Sequence, residues 1–300
     1  MKRLAGVLAV VATPFAESGE VDEGSLERCI DYLVDGGAEA LVMFGFGGEF
    51  YKLSDDERLR MAALLVATTG GRSTTVASVT RHATHLAVAE AQRFQELGVD
   101  ALMLLPPFLL GPDAASLVRH MRAVVDAVDI PVILQYAPLN TGVPMPPDAF
   151  LELWEEARER IYVKAESQPP GPLVSALVER SGGEMGVFIG NAGQHLFDCL
   201  RRGATGVMPG SSLLHVYRAI MDRYAAGETA AAFALYNELV AYLNIVGLSA
   251  ERFVHYEKRI LARQGIFAHA GTREPAYRPD RVEDEMFERY LERLLAAVDR

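Results

Sequence analysis

The sequence predicts an α/β protein: a (β/α)₈ TIM barrel followed by a C-terminal extension of three helices. Three observations carry that prediction. Eight short apolar runs recur, at 6–11, 40–44, 75–79, 101–105, 132–136, 161–163, 186–189 and 206–208. Each is apolar on both faces, as in parallel strands covered by helices. Helical patterns lie between them, and after about residue 225 the alternation stops. Strand and helix alternating eight times means a closed barrel or a large doubly wound sheet. Units of roughly 25–35 residues and the count of eight favour the barrel. Residues 1–225 are therefore read as the catalytic barrel and 226–300 as the helical extension.

The elements follow in chain order. Lys2 and Arg3 before the apolar stretch 4–12 imitate a secretory signal, but Thr13-Pro14-Phe15 and a helix start come next, which makes the stretch a first strand. Leu26, Ile30 and Leu33 form one helical stripe. Ser54 with Glu57 three residues on predicts a capping box. Helical patterns at 84–97 and 114–128 follow, and glycines stand just past several helix ends, as at Gly70-Gly71 and Gly98. Beyond the barrel, 229–246, 250–264 and 282–298 read as helices, with a polar loop at 270–279.

Composition excludes several classes. Half of the 300 residues are apolar and 23% charged, which suits a large core and argues against disorder. Forty acidic against 29 basic residues give a formal charge of −11, contrary to a nucleic-acid partner. No run of eighteen apolar residues occurs, contrary to a membrane span. Cys29 and Cys199 are too few for a disulfide framework or a Cys₄ zinc site and read as core thiols of a cytoplasmic protein. His82 and His85 share a helix face without a third ligand nearby, so neither a metal nor another cofactor is expected.

In a barrel the chemistry sits where strands end. The chain has four lysines against 25 arginines, and Lys164 is the one that closes an apolar strand. A lysine in a barrel mouth loses hydration, which disfavours the ammonium form and frees the amine to attack a ketone. The same position also suits a structural pair with Glu166. Tyr136 ends the preceding strand, as a proton-transfer phenol or as a core tyrosine. The turn Gly45-Phe46-Gly47-Gly48 can converge backbone N–H groups on an anion, and the Glu49 that follows reads as structural. Arg81 stands near the third strand end, facing substrate or surface.

The set Gly45-x-Gly47-Gly48-Glu49, Tyr136, Lys164 and the terminal helices resembles the dihydrodipicolinate synthase / N-acetylneuraminate lyase family over nearly the whole chain. The resemblance implies a Schiff-base lysine acting on 2-keto acids, and a homotetramer built as a dimer of dimers. The family's tyrosine motif, Tyr-Asn-x-Pro before Thr/Ser-Gly, is matched to Gln135-Tyr136-Ala137-Pro138 and Thr141-Gly142 with one residue deleted, and Lys164 to the lysine ending strand six. The departures matter. Phe46 stands where members carry a relay hydroxyl, and Gly47 where a Thr hydroxyl helps bind the keto-acid carboxylate. Phe108 stands for the relay tyrosine supplied across the dimer, and Asn140, or nothing, for the arginine that synthases use on their aldehyde. Leu105-Pro106-Pro107-Phe108 and Gly48-Glu49-Phe50 look like ketodeoxyglucarate dehydratases, and Lys164-x-Glu166 like dehydratases of 2-keto-3-deoxy-pentonates.

The expectation is a lyase that dehydrates a 2-keto-3-deoxy sugar acid. The alternatives are a pyruvate-releasing aldolase and a non-catalytic keto-acid binder. Lys164 and Tyr136 are the expected catalytic pair. Gly47 and Gly48 are expected on the C1 carboxylate, and Phe46, Phe108, Glu166, Arg81, Gln168, Asn191 and Ser211 around the rest of the substrate.

Overall fold

In a computed structural model, which describes residues 3–298, eight parallel strands close into a barrel in chain order. They are β1 (Gly6–Val10), β2 (Ala40–Met43), β3 (Thr74–Val79), β4 (Ala101–Leu104), β5 (Val132–Tyr136), β6 (Ile161–Ala165), β7 (Gly186–Ile189) and β8 (Gly206–Val207). Every apolar run read from the sequence is one of these strands, and β8 closes the ring by pairing Gly6 with Gly206. Lys2 lies outside the described residues; the apolar stretch after it is β1.

The barrel helices are α1 (Glu23–Asp35), α2 (Asp55–Thr69), α3 (Thr84–Glu96), α4 (Ala114–Asp126), the single turn α5 (Pro138–Thr141), α6 (Pro147–Ala157), α7 (Gly171–Arg180), α8 (Leu196–Arg201) and α9 (Leu214–Ala225). The α1 cap is Asp22, whose carboxylate accepts from the Ser25 amide. Ser54 and Glu57 form the capping box on α2.

Strand side chains alternate between two cores, as the period of two requires. Leu8, Val10, Val42, Met103, Ile133, Tyr162, Phe188 and Met208 fill the barrel interior. Their neighbours, such as Ala9, Leu41, Leu102, Leu134 and Val163, join helix residues such as Leu26, Met121 and Leu177 in the layer between strands and helices. The inner row and the outer row thus have different chemistry available to them, and that division decides the site.

The extension consists of α10 (Thr229–Val246), α11 (Ala250–Arg263) and α12 (Arg281–Val298). By length and composition alone α10 is apolar enough to cross a membrane. It packs instead on α9 and α12, burying Leu235, Leu239 and Tyr242. The helix α11 reaches the barrel mouth, where it touches the short 3₁₀ turn Phe46–Gly48 after β2. Buried ion pairs fix it there. Glu49 pairs with Lys258 of α11 and, at 3.1 Å, with Lys52, which also meets Glu251 of α11 at 2.9 Å. The Lys258 ammonium lies 4.3 Å above the Phe15 ring and donates to the Gly271 carbonyl at 3.1 Å.

Candidate active site

The carboxyl ends of the strands hold four non-glycine residues in the left-handed region: Phe44, Glu49, Asn191 and Ala192, with φ of 65°, 53°, 48° and 50°. Such conformations cost free energy and persist where surrounding contacts hold them. They follow β2 and β7 and bracket a cavity of about 550 Å³ at the mouth. That size suits a small-molecule site.

Lys164 lies on β6 in the inner row, two residues beyond Tyr162, and is 5% exposed. Its ammonium reaches Glu166 Oε1 at 3.2 Å. Among the described residues these two are the charged side chains that line the cavity. The Glu166 carboxylate is held from two further sides. Gln135 Nε2 donates to Oε2 at 2.7 Å, and the Asn191 amide donates to Oε1 at 3.1 Å. The left-handed turn at Asn191 is what aims that amide at the carboxylate. Gly190 gives it room: a Cβ there would stand 2.1 Å from Glu166 Oε1. The carboxylate is thus fixed against the amine by three neighbours rather than left to find it.

Tyr136 is placed elsewhere. It belongs to the outer row of β5, with its ring against Phe150 of α6 at 5.3 Å and its hydroxyl accepting from the Met145 amide at 3.2 Å. It does not line the cavity. The physical reason is strand alternation. In the β5–β6 register Gln135 lies beside Lys164, and Tyr136 beside Ala165. The side chain that shares a face with the lysine is therefore Gln135, fully buried and bonded to Glu166. Without a deletion, Gln135-Tyr136-Ala137-Pro138 sets Gln135 at the tyrosine of the Tyr-Asn-x-Pro motif and Tyr136 at its asparagine. Reading β5 with period two from Ile133 would have given this from the sequence.

The other expected residues divide in the same way. Phe46, Gly47, Gln168 and Asn191 line the cavity together with Lys164 and Glu166. Gly48 does not: it is buried and its amide donates back to the Gly45 carbonyl at 2.9 Å. No such bond engages the Gly47 amide among the described residues. Arg81 is held by Glu90 at 3.0 Å and Asp55 at 2.6 Å, away from the cavity. Phe108 lies outside the cavity, its ring 4.8 Å from that of His82. Ser211 is buried and structural, donating to the Val10 carbonyl at 2.8 Å and accepting from the Ala12 amide at 3.1 Å. Sequence reasoning missed Gln194, and it missed the wall that Leu243, Leu248, Ser249 and Phe253 of the extension contribute. Strand-end logic does not reach a wall built outside the barrel repeats.

Comparison with known proteins agrees with this architecture. The sequence model of the dihydrodipicolinate synthetase family matches residues 3–294. A 4-hydroxy-tetrahydrodipicolinate synthase from Pelobacter propionicus is 32% identical over 203 residues, 68% of this chain and 69% of the relative. An L-2-keto-3-deoxyarabonate dehydratase from Azospirillum brasilense is 25% identical over 274 residues, 90% of this chain and 88% of the relative. Among solved structures, the 4-hydroxy-tetrahydrodipicolinate synthase of Methylacidiphilum fumariolicum SolV superposes with a TM-score of 0.90 at 24% identity, covering 99% of this chain and 98% of its own. With the barrel, the extension and a match along nearly its full length, the chain belongs to the dihydrodipicolinate synthetase family and is a lyase of the kind that family comprises.

Proposed function

We propose that the enzyme forms an imine between Lys164 and C2 of a 2-keto-3-deoxy sugar acid and eliminates water across C3 and C4. The observation that carries this reading is the Glu166 carboxylate, pinned 3.2 Å from the Lys164 amine by Gln135 and the Asn191 amide. In this pair the carboxylate occupies the proton-handling position that the sequence suggested for a phenol.

The steps balance without a redox partner. The carboxylate takes a proton from the ammonium, and the free amine adds to the C2 carbonyl. Nitrogen passes one proton to the former carbonyl oxygen to give the carbinolamine, the protonated carboxyl delivers the second, and that oxygen leaves as water to give the iminium. The iminium acidifies C3, and Glu166 removes a C3 proton to give the enamine. The same carboxyl then protonates the C4 oxygen as the C4–O bond breaks. A second water departs, and hydrolysis of the imine returns one water and releases the product. One carboxyl acting first as base and then as acid removes both groups from one face, so the elimination is syn. The Gly47 amide, on the cavity lining, donates to the C1 carboxylate in this reading.

Three features support dehydration: the Lys164-x-Glu166 spacing, the single carboxyl beside the amine, and similarity to a protein named as a dehydratase. A homotetramer in the cytoplasm completes the reading. The support for the assembly is three exposed leucines after β4 and β5: Leu109, Leu110 and Leu139 are 75%, 94% and 65% exposed. Product analysis tests the reaction. With a panel of 2-keto-3-deoxy acids, 2,5-dicarbonyl or semialdehyde products are expected. Pyruvate released with a shortened aldehyde would instead make the enzyme an aldolase.

A further inference from the structure

Resting on that reading, we propose that the enzyme selects keto acids whose far end is neutral and hydroxylated, and rejects those that end in a second carboxylate. The charge count in the cavity is the first argument. Lys164 and Glu166 are the charged side chains lining it among the described residues, and they are already paired. Once an imine forms, the iminium offsets one carboxylate, that of C1. A second carboxylate would enter a cavity already holding the Glu166 anion, with no further cation among the described residues that line it.

The rest of the lining is the second argument. Asn140, Gln168, Gln194 and Ser249 contribute amides and a hydroxyl to it, and Leu248 and Phe253 are among its apolar residues. Side-chain amides and hydroxyls both donate and accept, and so does each hydroxyl of a sugar chain; a carboxylate only accepts. The apolar side chains match the C–H edges of the same substrate. Arg81, the arginine closest to this role by sequence, is committed to Asp55 and Glu90 and does not line the cavity. The four polar residues come from the turn α5 after β5, from the loops after β6 and β7 and from Ser249, the cap of α11, so the extension takes part in setting specificity.

The test uses two six-carbon 2-keto-3-deoxy acids of the same stereochemistry, one ending in CH₂OH and the other in carboxylate. The kcat/KM of each is measured on the wild-type enzyme and on Gln194→Arg. Asn140→Arg, at an exposed position of the single turn α5, serves as a second variant should the first not fold. Borohydride trapping with pyruvate is run alongside. The expected result is a preference for the alcohol of about 100-fold or more, narrowed at least tenfold by an introduced arginine. Equal or reversed preference with pyruvate still trapped on Lys164 would overturn this specificity and leave the imine reading standing. No adduct with any keto acid would overturn both.

Discussion

In the proposed reaction, Glu166 is the residue on which the chemistry turns. Its carboxylate has three partners, and each contact leaves the oxygens aimed at the amine of Lys164. Replacing Glu166 with Gln keeps the shape and removes the proton-carrying group. We expect kcat to fall by about 10²–10⁴-fold, while slow imine trapping on Lys164 persists. Unchanged kcat would move the proton work elsewhere. Tyr136→Phe separates the two candidate proton carriers. It removes only the acceptor for the Met145 amide, so stability should drop by about 1 kcal/mol and kcat/KM should stay within a few-fold. A loss of activity as large as that of Glu166→Gln would restore Tyr136 to the site. The sequence made Lys164 legible because it alone among the lysines ends an apolar strand. It left Gln135 hidden because a strand-end rule locates the rim but not the face. The face follows only when the alternation along β5 is carried through from Ile133.

At the scale of elements, the loop after β2 is held by the extension as well as by the barrel, where the Thr13 hydroxyl donates to the Gly48 carbonyl at 2.6 Å. Glu49 carries a left-handed φ of 53° and is fully buried between Lys52 and Lys258. Burial pushes the Lys258 ammonium down to about 8, although the Glu49 carboxylate opposes the shift. Lys258→Met would leave Glu49 with Lys52 as its remaining cation. Chemical denaturation should show a loss of about 3 kcal/mol, and a change below 0.5 kcal/mol would mean that the pair contributes nothing net. A second tie joins the 270–279 loop to α2. The Arg273 guanidinium bonds the Glu57 carboxylate and holds its pKa down to about 2. The unfolded chain therefore binds more protons than the folded one between the ordinary glutamate value and that depressed value. The tie is fully stabilising above the ordinary value and is lost as pH falls towards 2. The acid limb of a stability–pH profile should accordingly flatten in Glu57→Gln, and an unchanged limb would refute the coupling. The capping box at Ser54 and Glu57 was readable locally, because it spans three residues. The Arg273 contact was not, since 216 positions separate its partners.

For the molecule as a whole, the barrel was readable because its period repeats eight times and each unit announces itself within a few residues. All eight predicted runs became strands in chain order. The helices of the extension were equally plain, at 229–246, 250–263 and 281–298. Their docking was not, because α11 meets the mouth through side chains such as Lys258 and Phe253 whose partners lie two hundred residues earlier. The cavity is a joint product of barrel and extension, and the amine sits where both close over it. The most direct measurement is borohydride reduction in the presence of pyruvate, followed by intact mass and peptide mapping of wild type and Lys164→Ala. The account predicts one reduced pyruvate per chain, on the peptide carrying Lys164, and none on the variant. An unmodified wild-type chain, or an adduct on Lys52 or Lys258 that survives in Lys164→Ala, would contradict it.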